Sequence, residues 1–357
     1  MLHVQDSPYI KAIHFENADD FIAAISYKGE LYNLFDEHYI FRGHSTDKYE
    51  LIPTALRGNL AIDSITDIES ASEEKLKQVA FLASTELVQI QEEYKLLQDF
   101  FRACDNCGLY IPHIESLRNS FYPGVDGETL FLENSWIPKE YWELAALAQH
   151  HGVKTRLLDW THDIYVALYF AATGVYNHPK ERFNLITAFK ARRQCEINPP
   201  KYNMEIWALN IDVVMVKPMK IPLRIIQPRY HSNNNLCAQK GMFTFWESFY
   251  PGLLDKEGKM KLNHEPKTDR RSLDEQLDSY LREIKAEERT YLYQITIPQD
   301  ASYGIYSHIE RIGYNASTIF PGYDGVAKFL KEHFEIHSKE KNKKIIEAKK
   351  TKANTHD

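Results

Sequence analysis

Apolar residues change their spacing several times along the chain, and each change marks an element. Phe21, Ile22 and Ile25 predict a short helix starting near Asn17 or Asp19. Tyr39-Ile40 leading into Phe41-Arg42-Gly43-His44 predicts a strand that ends in a turn, with Gly43 free to take the positive φ of that turn. From Ser72 to about Ala103 the residues Leu76, Val79, Leu82, Leu87, Ile90, Tyr94, Leu97 and Phe101 recur every three or four positions. That spacing predicts a long amphipathic helix, stopped at Asn106-Cys107-Gly108. Scattered Pro, Gly and Asn make Ser120 to Pro138 a loop. A helix follows from Pro138 to His151, with proline in its first turn and Gly152 past its end.

A short extended piece, Thr155-Arg156-Leu157-Leu158-Asp159-Trp160, leads into a second apolar helix over about Asp163 to Tyr176, which Thr161 and Asp163 are both able to cap. Strands are expected at Phe183–Phe189, Glu205–Ile211, Met242–Trp246 and Tyr291–Ile297. The charged stretch 255–290 reads as an exposed helical insertion. With seven lysines in the last nineteen residues, the end reads as a solvated helix fading into a disordered tail, dispensable for folding.

Composition narrows the class. The 357 residues are 43% hydrophobic and 26% charged, the balance of a folded globular protein. No apolar run reaches the ~18–20 residues needed to cross a bilayer, and the first residues lack a signal-peptide pattern, so a cytoplasmic protein with no membrane partner is expected. Four cysteines are too few for a disulfide framework. Cys104 and Cys107 form a lone C-x-x-C with no second pair at metal-binding spacing, so no metal is expected. A net charge of −7 argues against wholesale coating of nucleic acid, though not against a local basic patch. Phosphate-binding, Rossmann, nucleophile-elbow and His-Glu-x-x-His motifs are all missing.

The candidate chemistry lies in two segments. Arg42 offers a planar fork of donors suited to phosphate or carboxylate; the alternative is an internal ion pair, with Asp159 as partner. Gln149, His150, Thr155, Arg156, Asp159 and Trp160 crowd polar and amphipathic groups between two apolar helices. Such a composition suits a pocket wall, or a buried hydrogen-bond network between the helices. His150 and His151, adjacent on a helix, should point ~100° apart, one inward and one to solvent. The pocket-wall histidine is an acid–base candidate. Phe243-Thr244-Phe245-Trp246 alternates like a half-buried strand and reads as core rather than a stacking platform.

Several blocks stand out together. They are Phe41-Arg42-Gly43-His44-Ser45 with the following Tyr49-x-Leu51-x-Pro53-Thr54-x-Leu56-Arg57, and the long block Leu147-Ala148-Gln149-His150-His151-Gly152-x-x-Thr155-Arg156-Leu157-Leu158-Asp159-Trp160-Thr161. Ala167 to Ala172, Gln239-Lys240-Gly241-Met242-Phe243 and Phe320-Pro321-Gly322-Tyr323-Asp324-Gly325 complete the set, which resembles the FRG-domain family, named for its Phe-Arg-Gly motif. The resemblance implies an α+β fold with a mixed or split antiparallel sheet, flanking helices and helical insertions, loosely like an ADP-ribosyltransferase. It divides the chain into a lead-in (1–38), an FRG domain (39–330, with insertions at about 60–138 and 250–290) and a lysine-rich helix and tail (331–357). By the same analogy Arg42, His150 and Gln239 are catalytic candidates. His44, Gln149, Thr155, Arg156, Asp159, Trp160 and Tyr169 are substrate-binding ones. NAD is the implied cofactor, in a bacterial defence or toxin setting. A non-catalytic module for a nucleotide or nucleic acid, and a protein-binding scaffold, remain open beside it. Gln239 stands where such a transferase has a carboxylate, and Glu247 is the nearest replacement.

Overall fold

The structure, a computed structural model, describes residues 7–57, 86–119, 136–177, 202–216, 221–231, 233–248 and 268–353. The strand expected at 183–189, the loop at 120–135 and the first part of the long helix lie outside those residues. A seven-stranded sheet runs in the order β1-β7-β4-β2-β3-β6-β5, with β1 Ile10–His14, β2 Tyr39–His44, β3 Leu158–Thr161, β4 Asn203–Asn210, β5 Leu223–Ile226, β6 Gly241–Trp246 and β7 Leu292–Pro298. β1 runs parallel to β7 and every other neighbouring pair is antiparallel, so the fold is α+β with a mixed sheet.

Alternation along the strands sorts the core. On β2, Ile40 joins one cluster and Phe41 another; on β4, Trp207 and Leu209 follow Ile40 while Ile206 and Ala208 follow Phe41. The Phe41 face is covered by α1 (Ala18–Ile25), α4 (Ile164–Asn177) and α6 (Ser302–Arg311), through Phe21, Ala167, Tyr169, Ile305 and Ile309. Over β5 and β6 a further cluster forms where Leu97 and Phe101 of α2 (Glu86–Asn106) and Leu144 and Ala148 of α3 (Trp142–His150) meet Phe243 and Phe245. The Ile40 face is covered by α5 (Leu273–Glu283), whose Leu273, Leu277 and Leu281 are buried. Over the described part, 268–290, this corrects the exposed insertion expected at 255–290: the charged surface of α5 masks an apolar face at helical spacing, and its Asp278 is buried.

A second correction concerns the Phe-Arg-Gly segment, which lies wholly inside β2 with no turn at Gly43. A Cβ there would stand 2.0 Å from the Ala167 carbonyl oxygen of α4. Gly43 therefore serves close approach of a helix to the strand rather than a positive φ. The other termini follow the sequence. Asn17 caps α1, α2 ends at Asn106 before Gly108 at φ 67°, and Gly152 at φ 86° follows α3. The last long helix, α7 (Tyr323–Ala353), continues without a break through residue 331 into the lysine-rich segment. No helix among the described residues is long and apolar enough to cross a membrane.

Candidate functional site: a cleft where the sheet opens

β2 is hydrogen-bonded to β4 over its whole length and β3 to β6 likewise, yet β2 and β3 share only the pair Phe41–Thr161. Past that pair the two halves of the sheet separate. The Arg42 side chain bridges the opening, its Nη1 donating to the Asp159 carbonyl at 2.7 Å and lying 3.5 Å from the Asp159 carboxylate. A sheet that opens needs its backbone acceptors satisfied, and a guanidinium does so here in place of a ladder partner.

Above the opening lies a cavity of about 400 Å³. The C-terminal end of α3 contributes His150 and His151, and α4 contributes Val166, Ala167 and Phe170. The sheet supplies Arg42, Gly43, Asp159, Trp160 and Thr161, while Asn235, Gln239 and Phe320 close the far side. Both histidines line the cavity, His150 partly buried and His151 exposed at its mouth, so the inward and solvent-side rings stand at one rim. The helix ends at His150, so His151 leaves helical geometry and its ring meets that of His150 edge-on at 5.3 Å.

A chain of hydrogen bonds runs behind the wall. Arg42 Nε donates to His44 Nε2 at 3.0 Å, so the ring proton of neutral His44 sits on Nδ1, 3.2 Å from Glu205 Oε2. Glu205 also accepts from the Trp207 indole (2.7 Å) and the Gln294 amide (2.5 Å). On the other side Thr155 donates to Gln149 at 2.8 Å, and Gln149 donates to the Asp159 carboxylate at 3.0 Å. Burial, helped by the Arg42 cation, holds His44 well below the usual histidine range; burial and then neighbouring His151 lower His150 as well, against the pull of Asp159. Both imidazoles are thus neutral at pH 7. Burial, with a smaller push from the Asp47 carboxylate, raises the Glu205 carboxyl to about 7, against its amide and indole donors.

A raised carboxyl favours the fold while protonated, so its contribution is full below about pH 4.5 and is lost as pH rises through about 7. Between pH 5.5 and pH 8 wild type should lose about 2 kcal/mol more than Glu205→Gln. Urea midpoints of both proteins at the two pH values measure this, and parallel pH dependence would show that Glu205 is ionised throughout.

Of the residues singled out in the sequence, Arg42, His150, Asp159, Trp160 and Gln239 line the cavity. His44 and Gln149 stand one hydrogen bond behind it, and Thr155 one further. Arg156 and Tyr169 lie elsewhere. Arg156 is 2% exposed and is bound to Glu93 at 2.7 Å and to Thr268 at 2.6 Å. The Tyr169 hydroxyl donates to Glu332 of α7 at 2.8 Å inside the core, and it is the next residue, Phe170, that reaches the cavity. Glu247 is paired with Arg224 of β5, away from the cleft. Sequence reasoning missed Thr161, Asn235, Phe170 and Phe320 as wall residues. Thr161 and Phe170 fall in blocks already singled out; Asn235 carried no signal.

Fold and site define an α+β domain whose sheet opens onto a polar cleft held by arginine, histidine and aspartate. Residues 37–180 match the model of the FRG domain family, so the chain carries an FRG domain, and the match includes Arg42, His150, Asp159 and the whole of α4. No curated protein and no solved structure matches the chain.

Proposed function

We propose that the cleft binds a nucleotide, with NAD as its substrate, and breaks the bond between the nicotinamide ring and the ribose. The observation that carries this reading is Arg42. Its guanidinium is only 17% exposed, opens onto the cavity, and leaves Nη2 without a partner among the described residues. A largely buried cation with an unused donor edge is suited to a phosphate. The volume of about 400 Å³ is in the range of small-ligand sites. Phe170 and Phe320 offer ring faces for a base, and the Gln239 and Asn235 amides stand where a carboxamide or a base edge can be read.

Asp159 is the one carboxylate among the described residues lining the cavity, and its side chain is about half exposed. Arg42 and Gln149 hold it in place. As the C1′–N bond breaks, the bonding pair leaves with nicotinamide and positive charge develops on the ribose. A fixed carboxylate stabilises that charge. Neutral His150 takes the proton of the attacking nucleophile, water or an acceptor side chain, as its oxygen or nitrogen bonds to C1′. Gln239 then orients rather than stabilises charge, which removes the need for an acid at its position.

The test follows nicotinamide release from NAD by wild type and Asp159→Asn. The expected result is release by wild type and a rate lower by about 10²–10³-fold in the variant. Binding of NAD without release would favour a non-catalytic nucleotide module. Neither binding nor release would overturn the reading.

A further inference from the structure

We propose that Glu310, His333 and His337 form a binding site for a divalent transition metal of the zinc class, at the junction of α6 and α7 and separate from the cleft. His333-Phe334-Glu335-Ile336-His337 places two imidazoles one helical turn apart on α7. Between them Ile336 is 1% exposed, and on α6 Ile309 is fully buried beside Glu310. Those two anchors fix the rotation of both helices, so that the two rings face the carboxylate.

The geometry is close to that of a coordination shell. His333 Nδ1 lies 2.9 Å from Glu310 Oε1 and His337 Nε2 lies 3.1 Å from Glu310 Oε2. Donors about 2.0–2.1 Å from a tetrahedral zinc ion stand roughly 3.3 Å apart, so a few tenths of an ångström of opening would admit the ion. All the donor atoms lie within 4.8 Å of one another, and this is the one such group among the described residues.

Outer partners are already in place. The Tyr303 hydroxyl lies 3.0 Å from His337 Nδ1, leaving Nε2 as the coordinating nitrogen, and the Tyr306 hydroxyl donates to Glu310 Oε1 at 2.9 Å. A metal ligand histidine commonly has its second nitrogen held in this way. The His333 and His337 side chains are 40% and 30% exposed while Glu310 is 14% exposed. A metal would therefore sit on a shielded carboxylate with its fourth position toward solvent, filled by water. Imidazole and carboxylate together suit zinc better than the oxygen-seeking magnesium or calcium. The ion would replace the two carboxylate–imidazole hydrogen bonds and clamp α7 to α6, independently of what the cleft binds.

The experiment titrates zinc chloride into the full chain, stripped of metal with chelator and free of nucleotide, by calorimetry and by thermal melting. One zinc per chain and a rise in melting temperature are expected. Glu310→Gln keeps size and hydrogen bonding while removing the anionic ligand, and circular dichroism checks its fold. Its zinc affinity should fall at least about a hundredfold, since loss of even an outer partner costs roughly 10–100-fold. His337→Ala should do the same. Absence of binding by wild type would overturn the site and leave the trio as a hydrogen-bonded clamp. Equal affinity in wild type and Glu310→Gln would also overturn it by placing the metal elsewhere.

Discussion

Replacing Arg156 by leucine is expected to cost about 3–5 kcal/mol of stability. Arg156 and Glu93 are 2% and 1% exposed and meet at 2.7 Å. Glu93 also accepts the Trp136 indole N–H and the Gln89 amide, the latter at 2.8 Å. Leucine would leave a buried carboxylate with two neutral donors and no cation. That is far more costly than losing a surface pair, because the charge cannot recover its hydration. The pair ties the chain two residues before β3 to α2 across the cluster that holds Trp136 and Phe245. A denaturant midpoint of Arg156→Leu beside wild type gives the number. A loss under about 1 kcal/mol would mean that water or another cation reaches Glu93.

Arg42→Ala should show the opposite balance, with a small stability loss and a large loss of ligand affinity. Its ionic partner Asp159 is half exposed and keeps the Gln149 amide as a donor, so removing Arg42 strands no buried charge. What is lost are the bonds to the Asp159 carbonyl and to His44 Nε2, worth about 1–2 kcal/mol together. The cleft would lose its phosphate fork, and with it about 3 kcal/mol of charge-assisted hydrogen bonding, or roughly a hundredfold in affinity. The arginine is thus both the filler of the gap between β2 and β3 and the free donor edge facing the cavity. Only the second role is set aside for a ligand.

Much of this was legible from spacing alone. α1, the last part of α2, α3, α4 and strands β4, β6 and β7 stand close to where apolar periodicity and end-capping residues put them. The strands β1 and β5 were not anticipated, since Ile10–His14 and Leu223–Ile226 are short and interleaved with lysine, histidine and arginine. Gly43 misled because glycine after a strand reads as a turn; nothing local says that a helix carbonyl from Ala167 will come close. The Gln149-to-Trp160 block was read both as a pocket wall and as a buried network, and it divides between the two. Asp159 faces the cavity, Trp160 borders it but buries its indole on the Ile40 face with a bond to Thr244, and Arg156 turns into the α2 interface. Successive strand residues point to opposite faces, and a sequence does not say which face is open. His333 and His337 went unremarked because their partner Glu310 lies on a separate helix, and only the fold brings them together.

In the proposed complex Arg42 presents its guanidinium to the phosphate of a nucleotide in the cleft. The most direct measurement of that contact is the calorimetric affinity for NAD of wild type, Arg42→Lys and Arg42→Ala, each first shown to be folded by circular dichroism. Wild type should bind, Arg42→Lys more weakly because it keeps the charge but loses the planar fork, and Arg42→Ala about a hundredfold more weakly than wild type. A folded Arg42→Ala that binds NAD as tightly as wild type would contradict the account.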